Sequence, residues 1–188
     1  MIPENEIIRG CIKGDRYYQN LLYKTYSSRM LAVCMRYFKQ RDEAEDCLQE
    51  GFVKVFKNIH LFGEKGSFEG WIRKIMVNTA INIFRANQRL IISRELNDDD
   101  SFIASDEHDY TEIYSADYLM NLIQNLPDGY RVIFNMYAIE GYSHKEISEI
   151  MNISEGTSKS QLSRARALLQ EKLNKISKKV KIDLGYAE

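Results

Sequence analysis

The chain has 188 residues, of which 44% are hydrophobic, which suits one large or two small folded domains and excludes a wholly disordered polymer. Its formal net charge is −1, from 26 basic and 27 acidic side chains, a neutrality that by itself argues against a nucleic-acid binder. The charge is laid out in blocks, however: residues 1–90 carry +5, residues 91–127 carry −8 and residues 128–188 carry +2.

Only two prolines, Pro3 and Pro127, interrupt the chain, and the long stretch between them suits long helices. Residues 16–39 place Leu21, Leu22, Tyr26, Leu31, Met35 and Phe38 at helical spacing. Residues 42–59 repeat Ala44, Leu48, Phe52, Val55 and Ile59, with Asp42 as the expected N-cap and Glu45 completing a capping-box-like pair. A third helix follows Ser67 as N-cap, with Trp71/Ile72, Ile75/Met76, Thr79/Ala80 and Ile83/Phe84 recurring on one face. That register assigns Trp71 to the core. Periodicity fades over 90–112, where Asn97-Asp98-Asp99-Asp100-Ser101 concentrates repelling charge, and the segment reads as a flexible acidic linker. Helical spacing resumes with Tyr118, Leu119, Leu122, Ile123 and Leu126. After Pro127-Asp128-Gly129 a helix through Val132, Ile133, Met136 and Ile139 is expected to end at Gly141.

Ser143-His144-Lys145-Glu146 then has the form of a capping box, and Ile147, Ile150 and Met151 give the short helix behind it one apolar face. Asn152, a residue type that tolerates left-handed backbone, breaks it, and Ser154 caps a following helix with Leu162, Ala165, Leu168 and Leu169 inward. Helix, three-residue turn and helix is the helix-turn-helix plan, whose second helix can enter a major groove. The outward face of that helix carries Thr157, Lys159, Ser160, Ser163, Arg164 and Arg166, and residues 156–182 have a local charge of +7. No segment shows strand alternation, so the expected fold is all-α: two small helical domains joined by a flexible acidic linker, the second a helix-turn-helix domain.

The residues that usually carry chemistry are scattered. His60, His108 and His144 lie far apart, and Cys11, Cys34 and Cys47 form no CxxC pair, so they read as reduced core thiols of a cytoplasmic protein. There is no P-loop, no GxGxxG and no GxSxG, and no metal or cofactor is implied. No run approaches the roughly 20 apolar residues of a membrane span. The acidic start, Met1-Ile2-Pro3-Glu4-Asn5-Glu6, lacks a signal-peptide plan.

Three stretches in order are similar to those of one family: 42–56 (DEAEDCLQEGFVKVF), 66–82 (GSFEGWIRKIMVNTAIN), and Leu126-Pro127 followed by the helix-turn-helix with 155–166 (EGTSKSQLSRAR). The chain resembles an extracytoplasmic-function (ECF) sigma factor, the two-domain form of the bacterial RNA polymerase specificity subunit. The resemblance spans roughly residues 10–175. An ordinary helix-turn-helix regulator with a helical sensor domain would have no reason to carry the 42–56 stretch.

The resemblance implies a cytoplasmic transcription-initiation factor, not an enzyme, that binds core RNA polymerase and directs promoter-specific initiation. It divides the chain into 1–90, for polymerase binding and −10 recognition and melting, 91–114, an acidic linker threading polymerase channels, and 115–188, for −35 recognition. Carried over by position, Asp42, Glu45, Asp46, Gln49 and Glu50 would meet the clamp coiled coil of the largest polymerase subunit, with the flap as a further contact. Phe62, Lys65, Ser67, Arg73, Asn78, Asn82 and Arg85 would meet the −10 element, Asn78 reading an extruded base by its amide. Thr157, Lys159, Ser160, Ser163, Arg164 and Arg166 would meet the −35 duplex. Ser158 and Gln161 depart from the commonest family pattern, which is apolar at the first position and basic at the second. An anti-sigma factor or another recruiting protein is a further expected kind of partner.

Overall fold

The computed structural model describes residues 2–92 and 116–183. Among them the chain forms two compact helical units, assigned to Met1–Glu95 and Leu96–Glu188. The acidic stretch that includes Asp98, Asp99 and Asp100 lies outside the described residues.

The first unit contains α1 (Glu4–Ile12), α2 (Arg16–Cys34), α3 (Arg41–Asn58), a short 3-10 turn (Ile59–Leu61) and α4 (Phe68–Ile92). Leu22, Met30, Cys34, Ala44, Cys47, Val55, Ile72 and Met76 are almost or wholly removed from solvent and form the centre of the unit. All three cysteines are buried free thiols, as their places on apolar faces predict. Helix α1 has no counterpart in the sequence reading. It buries Ile7, Ile8 and Cys11, and it is tied to α2 where the Tyr18 hydroxyl donates to Glu6 at 2.9 Å and the Tyr26 hydroxyl donates to Glu4.

Helix α2 is capped by Asp15, whose carboxylate accepts from the Tyr17 amide at 2.8 Å. Helix α3 starts earlier than expected. Gln40 occupies its N-cap without a side-chain bond, which puts Asp42 inside the first turn. There its charge faces the positive end of the helix without capping it. Glu45 bonds Arg41 at 2.7 Å and closes no capping box. The Ala44 amide donates to the Gln40 carbonyl at 3.3 Å, which starts the helix one residue ahead of Asp42. Gly51 lets α3 approach α4 closely: a Cβ there would fall 2.2 Å from the sulfur of buried Met76.

Ser67 caps α4 by accepting from the Gly70 amide at 3.1 Å, as expected. The buried stripe of α4 is Phe68, Ile72, Met76, Val77, Thr79, Ala80 and Ile81. It is rotated from the anticipated one. Val77 and Ile81 are inside, whereas Trp71, Ile75, Ile83 and Phe84 are half-buried. Trp71 is therefore at the margin of the core, stacked on Phe68 with centroids 5.7 Å apart and planes 12° apart.

The second unit contains α5 (Ala116–Gln124), α6 (Asp128–Phe134) with a π turn (Asn135–Ile139), α7 (His144–Met151) and α8 (Glu155–Asp183). Leu126, Val132, Ile133, Met136, Ile147, Leu162 and Ala165 form its core. Arg131 lies inside this unit at 3% exposure and donates to the carbonyls of Gln124 and Leu126, at 3.0 and 2.9 Å, and to Asp128 at 2.6 Å. It thereby satisfies carbonyls that the end of α5 leaves open. The π turn widens the chain just before Gly141, which has φ +78° as its capping role requires.

Candidate nucleic-acid and polymerase interfaces

The helix-turn-helix is built by side chains whose roles are local. Ser143 Oγ accepts from the Glu146 amide while Glu146 accepts from the Ser143 amide, so both halves of the capping box form at the start of α7. The Ser143 amide and the Ser143 hydroxyl both donate to the Glu146 carboxylate, at 2.8 and 2.7 Å, and hold that carboxyl below the usual glutamate range by favouring its charged form. Asn152 ends α7 in the left-handed region, φ 55° and ψ 49°. Ser154 Oγ then accepts from the Thr157 amide at 2.9 Å to start α8.

On α8, Ser158, Leu162 and Ala165 are buried at helical spacing. The opposite side presents Lys159, Ser160, Ser163, Arg164 and Arg166, all exposed, with Thr157 half-buried. Lys159 is 3.6 Å from Glu155 on the exposed face, a pair that solvent weakens. Arg164 donates to the Tyr130 hydroxyl at 3.3 Å, and the Arg166 guanidinium lies 5.6 Å from the Tyr137 ring centre. Gln161 is half-buried, with its amide oxygen 3.3 Å from where a Cβ on Gly129 would stand. Neither departure from the family pattern is therefore an outward-facing change: Ser158 faces the core and Gln161 lies toward α6.

On α4, Lys74, Asn78 and Asn82 are exposed four residues apart and Arg85 continues the line half-buried. Arg73 is half-buried. Lys65 and Ser67 are exposed in the loop before α4, where the Ser67 oxygen already serves the helix cap. Phe62 is half-buried and packs on Phe68 and Trp71, with centroids at 5.0 and 5.7 Å. The loop thus lies against an aromatic cluster, and Glu64 within it has φ 54°.

On α3, Asp42, Asp46, Gln49 and Glu50 are exposed and Glu45 is half-buried, while Cys47, Leu48 and Gly51 are buried. Glu45 and Gln49 also line a groove of about 380 Å³ with Tyr23, Ser27, Ser28, Leu31 and Leu48. The α2 side of this groove was not anticipated, since Ser27 and Ser28 carry no sequence signal of their own. Lys54 donates to Glu50 at 2.6 Å and to Thr79 Oγ1 at 3.2 Å, joining the acidic face of α3 to α4.

Two family profiles divide the chain along these lines. The first, Sigma-70 region 2, matches residues 22–90, and the second, Sigma-70 region 4, matches residues 116–169. The chain belongs to the ECF sigma factors. This sigma factor is 28% identical to the ECF RNA polymerase sigma-E factor of Haemophilus influenzae over 92% of its own length and 96% of the relative's. It is 27% identical to the ECF RNA polymerase sigma-E factor of Escherichia coli, covering 92% and 95% of the two chains. It is 26% identical to the RNA polymerase sigma-H factor of Pseudomonas aeruginosa, covering 90% and 93%. A solved structure of the sigma factor RpoE with the anti-sigma factor NepR from Bartonella quintana aligns at a TM-score of 0.48 and 20% identity, over 83% of this chain and 96% of that one. Sigma factors are promoter-recognising transcription-initiation factors of RNA polymerase. Among the described residues no helix is long and apolar enough to cross a membrane.

Proposed function

We propose that this sigma factor acts in the cytoplasm, catalyses no reaction itself, and divides promoter opening between three outward faces. The α2/α3 groove and the acidic face of α3, through Asp42, Glu45, Asp46, Gln49 and Glu50, dock core RNA polymerase. The loop before α4 and the line Lys74, Asn78, Asn82 and Arg85, with Arg73 beside it, hold the opened −10 strand. The outward side of α8, through Thr157, Lys159, Ser160, Ser163, Arg164 and Arg166, reads the −35 duplex. Phe62 serves the −10 site by supporting Trp71 and Phe68. Residues 91–114 connect the two promoter contacts.

The observation that best supports this reading is Asn78. It is exposed between Lys74 and Asn82 while its neighbours Val77 and Thr79 are buried, and an exposed amide offers both a donor and an acceptor to an unstacked base. Full-length protein mixed with core polymerase is expected to form a complex and give a promoter-dependent run-off transcript. Asn78→Ala and Arg164→Ala retain the complex and lose the transcript. Gln49→Ala with Glu50→Ala loses the complex itself. Absence of a complex with the unsubstituted protein refutes the reading.

A further inference from the structure

The polar residue on the inward side of α8 has a specific partner. Ser158 is fully buried, and its Oγ shares a 2.9 Å hydrogen bond with Nδ1 of His144, the first residue of α7. The imidazole also stacks on Tyr137, with centroids 4.5 Å apart and planes 24° apart. Tyr137 lies in the π turn, and its ring carries the Arg166 guanidinium at 5.6 Å. The four side chains therefore form a closed path. It leaves α8 at Ser158, crosses the first residue of α7 and the π turn, and returns to α8 at Arg166. The two points on α8 lie eight residues apart, about 12 Å along the axis.

A helix held by apolar contacts alone can slide or roll at modest cost, because those contacts are non-directional. A hydrogen bond and a guanidinium–ring contact are directional. Joined at two points two turns apart, they fix both the roll and the axial position of the helix. Tyr137, in the wider π turn, is placed between His144 and Arg166, and such turns are frequent at functional sites.

We propose that Ser158, His144 and Tyr137 are positioning residues that set the roll of α8, and so determine which bases its outward side chains select. They touch no DNA themselves. This proposal rests on the −35 role given to α8 above.

The test uses full-length protein with core polymerase on a promoter whose start site has been mapped for the unsubstituted protein. A panel of templates carries single-base changes across the −35 element, and one reference template lacks that element and is pre-melted at −10. Ser158→Val and His144→Phe are each expected to lower −35-dependent transcription about tenfold, the scale of one lost buried hydrogen bond. Both should also change the rank order of the panel while leaving the reference template within about twofold, as expected of a perturbation confined to one unit. Ser158→Thr, which keeps the hydroxyl, retains the original order. The Ser158→Val/His144→Phe pair replaces one polar contact by one apolar contact and recovers more activity than the product of the single losses allows.

A uniform loss across the panel with unchanged rank order overturns the proposal, because that is what a destabilised unit gives. Single losses that simply multiply in the pair also overturn it. If Ser158→Val does not fold, Ser158→Thr and His144→Asn decide: a changed order in Ser158→Thr, or an unchanged one in both His144→Asn and His144→Phe, refutes the positioning role. If the unsubstituted protein gives no −35-dependent transcript, the proposed function fails as well. Normal transcription with variants that match it removes only the positioning role.

Discussion

Arg131 is 3% exposed and bonds the carbonyls of Gln124 and Leu126 and the carboxylate of Asp128. Replacing it by methionine keeps much of the aliphatic stem and removes these bonds. The Leu126 contact is buried and the Gln124 contact partly buried, and a buried acceptor left unpaired costs about 1–3 kcal/mol. Asp128, with its side chain 53% exposed, can turn to water and adds little. The expected loss is about 3 kcal/mol, most of what a helical unit of this size is expected to have in reserve. At about 4–8 °C per kcal/mol, the melting temperature of the C-terminal unit should fall by about 15 °C. Arg131→Lys keeps the charge but not the planar fork, and should lose about half as much. The single tryptophan, Trp71, belongs to the N-terminal unit and reports on that unit alone, whereas far-UV circular dichroism reports on both. The expected result is an early, partial loss of ellipticity with the Trp71 fluorescence transition unmoved. No early loss of ellipticity would refute the capping role.

Three other outcomes are expected. Gly51→Ala brings a methyl within 2.2 Å of the Met76 sulfur. The gain in helix propensity, about 1 kcal/mol, offsets only part of the packing strain, so Trp71-monitored urea unfolding should show a net loss of about 1 kcal/mol, smaller when combined with Met76→Val. The depressed Glu146 carboxyl contributes stability that is present above the ordinary glutamate range and is lost as pH falls through the lower folded-state value. Acid titration of the helix-turn-helix signal should therefore steepen just below that range, and Glu146→Ala should flatten it. Burial, with the charge of Asp15 adding to it, pushes the Cys11 thiol up to about 11, and the bond from Cys34 together with burial pushes Cys47 up as well. A disulfide reagent at pH 8 should leave the native thiols unmodified and react with them promptly in denaturant, and rapid native labelling would contradict their place in the core.

The helix-turn-helix was legible because its determinants are local. Ser143, Glu146, Asn152 and Ser154 each act within four residues of their own position, so their spacing carries the geometry. The Ser67 cap and the Gly141 stop were legible for the same reason. Composition alone misleads at the start of α3: Asp42 has the composition of a cap, but the Ala44 amide bonds the Gln40 carbonyl and the helix starts ahead of Asp42. Helix α1 escaped notice because its apolar residues, Ile7, Ile8 and Cys11, form a short set without a polar cap, and its bonds reach Tyr18 and Tyr26 on another helix. Trp71 shows how a stripe of paired apolar positions fixes a face only to within about one residue: rotation of α4 toward Val77 and Ile81 leaves the ring half-covered. The burial of Arg131 and the partner of Ser158 depend on residues brought close by the fold. The available signal for Ser158 was its register with Leu162 and Ala165, since a hydroxyl on an inward face needs a bonding partner.

The close approach at Gly51 and the Lys54 bridge one turn later have a metric consequence. Helix axes packed this way stand about 8–10 Å apart, and here a missing side chain on one helix and a bond to Thr79 on the other hold that spacing at neighbouring turns. On the proposed reading, α3 grips the enzyme and α4 grips the strand, so the helix pair works as a gauge block. On that reading the distance from the docking face of α3 to the outward face of α4 that carries Asn78 follows from this seam and is set when the unit folds.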